Sequence, residues 1–180
     1  MVGWREALPS SSELPGLSVR ETHVPVYDAE AVGRCLDLCR ENLCGKYGTC
    51  WACPPGHSEH MDVLGSLYSG ALLVSMVQEG DPKDETLMEE ANARLKKSVR
   101  RMVSALRSAG FECRGLCDGG CDICRECSYP KPCRHPDMVL PSVSAVGIDM
   151  GGYLESVGEK LEFRNDRVTF YAIILFRDPE

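Results

Sequence analysis

All eleven cysteines of the chain lie in two groups, and the second group has a spacing that is typical of metal ligation. The first group falls within residues 35–53 and the second within residues 113–133. The second group contains the run Cys121-x2-Cys124-x2-Cys127-x5-Cys133. Thiols at two-residue gaps do not readily form disulfides with one another, but short loops between them can turn successive sulfurs towards one inorganic centre. The run therefore predicts a bound metal centre.

Three explanations fit a run of thiols: an iron–sulfur cluster, a zinc ion, or plain packing in the core. Zinc prefers two separated pairs of ligands with a long spacer that lets a tetrahedron close, whereas in a [4Fe-4S] cube each cysteine sulfur binds a different iron. Free cysteine is common in cores, but the residues around this run are mostly glycines and charged side chains. The spacing therefore favours a [4Fe-4S] cluster, with zinc as the alternative.

The run departs from that of bacterial ferredoxins at its last cysteine. In those proteins three residues precede the last cysteine and a proline follows it directly, and in two-cluster ferredoxins that cysteine serves the other cluster. Here five residues precede Cys133, and the chain continues Arg134-His135-Pro136. Cys133 therefore serves either the same centre as its neighbours or a second one.

The first group of cysteines is less regular, and comprises Cys35, Cys39, Cys44, Cys50 and Cys53. Cys35 and Cys39 are one helical turn apart, so both side chains can face the same partner, although packing of the helix explains Cys35 equally well. Gly45 and Gly48 allow backbone amides to approach a sulfur closely, and hydrogen bonds to the sulfurs tune the reduction potential of a cluster. This group predicts a second, less clearly bounded site.

Cysteines of both groups belong to longer motifs, Cys44-x2-Tyr47-Gly48-x4-Cys53-Pro54-Pro55 and Gly120-Cys121-x2-Cys124-x2-Cys127-x5-Cys133-Arg134-His135-Pro136. A third motif without cysteine follows: Pro141-Ser142-x2-Ala145-x-Gly147-Ile148-Asp149. Together they resemble a bacterial and archaeal family of predicted metal-binding proteins of unknown function. The resemblance extends from Cys39 to Met150. The third motif departs from the family, because Leu140 and Val143-Ser144 replace the usual arginine and methionine–glutamate pair.

The resemblance implies two sets of ligands and no particular activity. It implies Cys39, Cys44 and Cys53 in a first site, and Cys121, Cys124, Cys127 and Cys133 in a second. It leaves four cysteines unassigned: Cys35, Cys50, Cys113 and Cys117. Three thiols are one short of the four that a cube takes. The fourth ligand of the first site is then Cys35, Cys50, a cysteine of the second group, a small exogenous ligand, or nothing.

Length and composition limit the class of protein. At 180 residues the chain suits one metal-binding domain over residues 1–180, with residues 1–16 as a loose lead-in. The net charge of −7 argues against nucleic acid as a partner. No signal peptide is readable in residues 1–17, and the longest apolar stretches are too short to span a bilayer. We therefore expect a cytoplasmic protein with reduced thiols and no membrane contact.

The pattern of apolar residues predicts an α/β fold, a small sheet packed with helices into an α/β sandwich, with the cysteine-rich loops at one end. Strands are expected over residues 17–27, 71–78, 111–116 and 168–176, and short helices after Ser58 and around residues 151–157. A helix capped by Asp28 is expected to begin at Ala29. The longest helix is expected to begin at Asp81-Pro82 and to end at Gly110, with an apolar stripe formed by Leu87, Ala91, Leu95, Val99, Met102 and Leu106.

Three functions are compatible with this sequence. The first is an iron–sulfur protein with one or two [4Fe-4S] clusters that transfers electrons to a partner protein. The second is an enzyme in which the three-cysteine site leaves one iron open to a small-molecule substrate. The third is an interaction module stabilised by zinc. The sequence names neither the substrate nor the redox partner, and it leaves the oligomeric state open.

Overall fold

The fold is organised around a four-stranded antiparallel sheet, whose neighbouring strands in order are Leu17–Thr22, Gly70–Glu79, Arg167–Arg177 and Glu112–Leu116. The computed structural model of the chain describes residues 3–162 and 164–179. Its elements, in chain order, are α1 (Trp4–Ala7), β1 (Leu17–Thr22), α2 (Ala29–Glu41), α3 (Met61–Leu67), β2 (Gly70–Glu79), α4 (Glu85–Ser108), β3 (Glu112–Leu116), a 3-10 turn (Pro136–Met138), α5 (Met150–Ser156) and β4 (Arg167–Arg177). The predicted α/β class is confirmed.

The two central strands are buried on both faces, which explains their nearly continuous apolar sequences. Alternate residues of a strand point to opposite faces. Leu72 and Val74 of β2 pack with α4 on one face, whereas Leu73 packs with α3 and α5 on the other. The sheet is therefore sandwiched between the long helix α4 and a layer formed by the two short helices and residues 143–148.

The long helix begins later than its sequence predicts. Asp81 accepts a hydrogen bond at its carbonyl from the Asp84 N–H, at 3.0 Å, and so forms a turn rather than the helix cap. Asp84 is the cap, because its Oδ1 accepts from the Leu87 N–H at 3.0 Å. The predicted stripe from Ala91 to Leu106 is buried against the sheet. The sequence pattern predicts this helix correctly. It misplaces the first residue, because either Asp81 or Asp84 could act as the N-cap.

The first strand is shorter than predicted, and ends at Thr22 rather than Tyr27. The ladder to β2 ends where Thr22 pairs with Ala71, next to the first residue of that strand. Beyond it the His23 carbonyl accepts a hydrogen bond from the Tyr153 hydroxyl of α5, at 3.0 Å. The chain therefore turns from the sheet towards α5, and Pro25 has no N–H with which to continue a ladder.

The described residues at the start of the chain contact the core. Residues 1–2 lie outside the described part of the chain. Trp4 and Ala7 of α1 pack against the core cluster beneath α4, and Leu14 is buried within it. Arg101 of α4 also forms an ion pair with Glu13. A few apolar side chains among polar neighbours are enough to attach this segment to the core.

No helix within the described residues is both long and apolar enough to cross a lipid bilayer.

Gly147 holds α2, the helix that carries Cys39, against the residues before α5. Its φ is +82°, and a Cβ at this position would lie 2.3 Å from Cγ2 of Val32. Gly147→Ala should therefore lower the free energy of unfolding by about 3 kcal/mol, from backbone strain and overpacking together. Chemical denaturation measures this change.

Gly158→Ala is the matched control for that experiment. Gly158 has a φ of +77°, and nothing lies within 4 Å of the Cβ that the substitution would add. We expect it to show only the strain component, about 1 kcal/mol. Equal losses in the two variants would mean that the contact between residue 147 and Val32 does not limit the packing of α2.

Candidate metal centre

Three irregular segments that are far apart in the sequence meet beside the end of β3. The N–H of Cys117 donates to the carbonyl of Pro141 at 3.0 Å, and the N–H of Val143 donates back to the carbonyl of Cys117 at 3.0 Å. The N–H of Ser142 donates to the carbonyl of Ala52 at 2.8 Å. Residues 141–143 therefore join the first cysteine loop to the strand end that leads into the second.

Five thiols surround one cavity of about 140 Å³ at this junction. Four of them are the cysteines of the run in the second group, and the fifth is Cys50 from the first loop; the five are Cys50, Cys121, Cys124, Cys127 and Cys133. The sequence motif did not assign Cys50 to this site. No carboxylate of the described residues lines this cavity, and its other polar side chains include Lys46, Arg125 and His135.

Three thiols from the first group line a second cavity of about 280 Å³. They are Cys39, Cys44 and Cys53, the three that the resemblance implies for the first site. Leu38 and Leu43 form part of the wall, and they are 63% and 89% exposed. This cavity therefore combines a set of thiols with an apolar rim that is open to solvent.

The two cavities are neighbours, because one pair of thiols stands between them. Cys50 lines the five-thiol cavity and Cys53 the three-thiol cavity, and both side chains are buried. A hydrogen bond from the Cys53 thiol lowers the pKa of Cys50, and the same bond raises the pKa of Cys53. The two thiols are therefore close enough to interact directly. Lys46 lines both cavities and places a positive charge beside them.

Three of the four cysteines that the resemblance leaves unassigned line neither cavity; these are Cys35, Cys113 and Cys117. All three are buried, and burial raises the pKa of each thiol. For Cys117, which has no exposed surface, the pKa rises to about 12. Because these three thiols line neither cavity, their positions favour packing over ligation. All eleven cysteines are free of disulfides.

An aromatic side chain joins the two cysteine loops, and a charged side chain attaches the second loop to α4. The Trp51 indole N–H donates to the carbonyl of Lys131 at 3.0 Å, and its ring meets that of Tyr129 edge to face at 5.1 Å between centroids. Arg100 of α4 forms an ion pair with Asp122, and its Nε donates to the carbonyl of Met138 at 3.0 Å. The aromatic contact crosses the boundary between the loops, so Trp51 is part of the site wall and not of the main core.

The histidines near the cysteines differ in their surroundings. His57 is buried outside both cavity linings, and burial together with the charge of Arg114 lowers its pKa to about 4. His135 lines the five-thiol cavity, and its backbone N–H donates to Sγ of Cys133 at 3.4 Å. That bond helps to hold the last thiol of the run in place.

The donors of the five-thiol cavity fit an iron–sulfur cluster better than a hard cation. Thiolates are soft ligands that select zinc, copper(I) or iron–sulfur clusters, whereas Mg²⁺ and Ca²⁺ require oxygen ligands. In a cube the four thiolates bind four separate irons, so they stand around a volume and do not converge on one point. Within residues 3–162 and 164–179, no group of three or more Cys, His, Asp or Glu side chains is arranged to hold a single metal ion.

Comparison with known proteins identifies a family. A family model described as predicted metal-binding protein (DUF2284) matches residues 23–176. No curated protein and no solved structure matches the chain. The matched range contains both cysteine groups and the whole sheet except β1 and the last residue of β4.

Proposed function

The chain belongs to the family of predicted metal-binding proteins (DUF2284), and on that premise we propose that it is an iron–sulfur protein that transfers electrons to a partner protein. The proposal assigns Cys121, Cys124, Cys127 and Cys133 as ligands of one [4Fe-4S] cluster, and Cys39, Cys44 and Cys53 as ligands of another. It also places the protein in the cytoplasm, where thiols remain reduced.

The observation that carries this proposal is the convergence of five thiols on one small cavity. A cube requires four thiolates, and the run supplies four that line the same cavity. Cys50 then lies beside that cluster, packed with Cys53, and is not a required ligand. When bound, the cluster supplies a one-electron carrier.

The adjacency of the two cavities supports electron transfer. Cys50 and Cys53 are in contact, and each lines a different cavity. Two clusters at these positions would be separated by little more than this pair of side chains. The exposed rim formed by Leu38 and Leu43 gives the three-thiol cavity access to solvent, so a partner can approach this side of the protein.

A second function is favoured by the apolar wall of the three-thiol cavity. Three thiolates leave one iron of a cube without a protein ligand, and an open metal position can act as a Lewis acid on a bound substrate. Leu38, Leu43 and Tyr47 offer contacts to an apolar body, and Ser142 and Ser144 offer hydroxyl groups. Under this alternative the protein is an enzyme acting on a small molecule that has a metal-binding donor.

Metal analysis of protein purified without oxygen tests the proposal. We expect brown protein with about eight irons and about eight sulfides per chain for two cubes, or about four of each for one. Electron paramagnetic resonance of the reduced protein should show the corresponding signals. Stoichiometric zinc with negligible sulfide would contradict the proposal and favour the zinc-stabilised interaction module.

A further inference from the structure

One lysine of the long helix is buried directly beneath the second cysteine loop. Lys96 lies next to Leu95 of the apolar stripe of α4, and only 6% of its surface is exposed. Its ammonium donates a hydrogen bond of 2.7 Å to the carbonyl of Gly120, the residue before Cys121. A buried charge of this kind is costly unless other groups compensate for it.

The ammonium has no direct carboxylate partner within the described residues. Burial raises the pKa of the nearby Asp118 carboxyl, and the charge of Lys96 acts in the opposite direction. No carboxylate oxygen of the described residues forms an ion pair with Lys96. The side-chain oxygen of Asn92, one turn earlier on α4, is buried without a hydrogen-bond partner within the described residues. The charge of Lys96 is therefore held by the Gly120 carbonyl without a salt bridge among the described residues.

The position of the ammonium relates it to both cavities. A Cβ at Gly119 would lie 3.6 Å from Nζ of Lys96, so the turn Gly119-Gly120 passes directly over the charge. Gly119 lines the three-thiol cavity and Cys121 lines the five-thiol cavity. Lys96 thus contacts the backbone of residues 119–120, which lies between the two cavities. From outside, the side chain of Lys46 packs against Gly120, where a Cβ would lie 3.0 Å from its Cδ.

We propose that Lys96 is a positioning residue that also supplies the buried counter-charge of the cysteine centres. Its hydrogen bond fixes the turn that starts the second run of ligands. Its charge stabilises the thiolate-bound clusters, and does so more strongly in the reduced state, which carries one additional negative charge. This inference rests on the proposed iron–sulfur function and names a residue that raises the reduction potential of that site.

Redox titration of the holoprotein, followed by electron paramagnetic resonance, tests whether the charge of Lys96 affects the reduction potential. Lys96→Met keeps most of the length of the side chain and removes the charge, so reduction becomes less favourable and the potential should shift to a more negative value. Lys97→Met is the matched control, because it removes the same charge from the next residue of α4, which is exposed. Exposed charges are screened by water and salt, so the control should leave the potential close to that of the wild type.

A third variant distinguishes the effect of the hydrogen bond to Gly120 from the effect of the positive charge. Lys96→Gln keeps a hydrogen-bond donor without the charge, and it also serves if Lys96→Met does not accumulate as folded protein. A negative shift in Lys96→Gln or Lys96→Met that is absent from Lys97→Met supports the inference. Equal potentials in all the loaded proteins overturn it. Wild-type protein without iron and sulfide would instead refute the proposed function, so the two failures are distinguishable.

Discussion

Replacing Cys124 with serine should remove one cluster and lower the iron content by about half if the wild type holds two cubes. Cys124 lies in the middle of the run, and its side chain lines the five-thiol cavity. Serine is a poor ligand for the soft metal sites that thiolates favour. Because metal binding is coupled to folding, the yield of folded protein should also fall. Iron and sulfide analysis with spectroscopy of the reduced protein measures the loss.

Cys113→Ser is the control for this experiment. Cys113 lies on β3, paired with Phe176 of β4, and its thiol faces the carbonyl of Val103 at 3.5 Å. It is buried in the core beneath α4 and lines neither cavity. Its replacement should leave both the iron content and the resonance spectrum unchanged, at some cost in stability. Equal loss of iron in the two variants would mean that the second site extends beyond the residues assigned to it.

Much of the fold could be predicted because it follows from local patterns. The central strands are long apolar runs, and the long helix has an apolar stripe at the helical period, so both were located within a few residues. The errors lie where two local signals compete or where tertiary contacts decide. Asp81 and Asp84 compete to cap α4, and a hydrogen bond from α5 draws the chain away from the sheet after Thr22.

The candidate site was predictable in part for the same reason. Spacing alone groups the cysteines of the second run, since loops of two residues keep their sulfurs close. Cys50 differs, because its place in the five-thiol cavity depends on contacts between segments far apart in the sequence, such as the bond from Ser142 to Ala52. Lys96 could not be identified either. It adjoins the apolar stripe of an amphipathic helix, a position from which lysine usually extends into solvent.

The second prediction with a large expected effect concerns the cluster proposed for the three-thiol cavity. We predict that its cluster has an open or exchangeable position, so that cyanide or a small thiol changes one resonance of the reduced protein and leaves the other unchanged. The physical reason is the donor set: Cys39, Cys44 and Cys53 are the only cysteines that line this cavity within the described residues, and a cube takes four ligands. Cys53→Ser should abolish the responsive signal, because it removes one of the three.

Cys35→Ser and Cys50→Ser decide whether that position is open. Cys35 is buried on α2, outside both cavity linings, and Cys50 lines the other cavity, so neither replacement should remove the cluster that responds to cyanide. Cys50→Ser also replaces the thiol beside Cys53 with a smaller hydroxyl of different hydrogen-bonding strength, and a modest change in the spectrum of that cluster is therefore expected. If either variant lost the responsive cluster entirely, the missing thiol would be its fourth ligand. The site would then be closed, and electron transfer would remain as the function without the enzyme alternative.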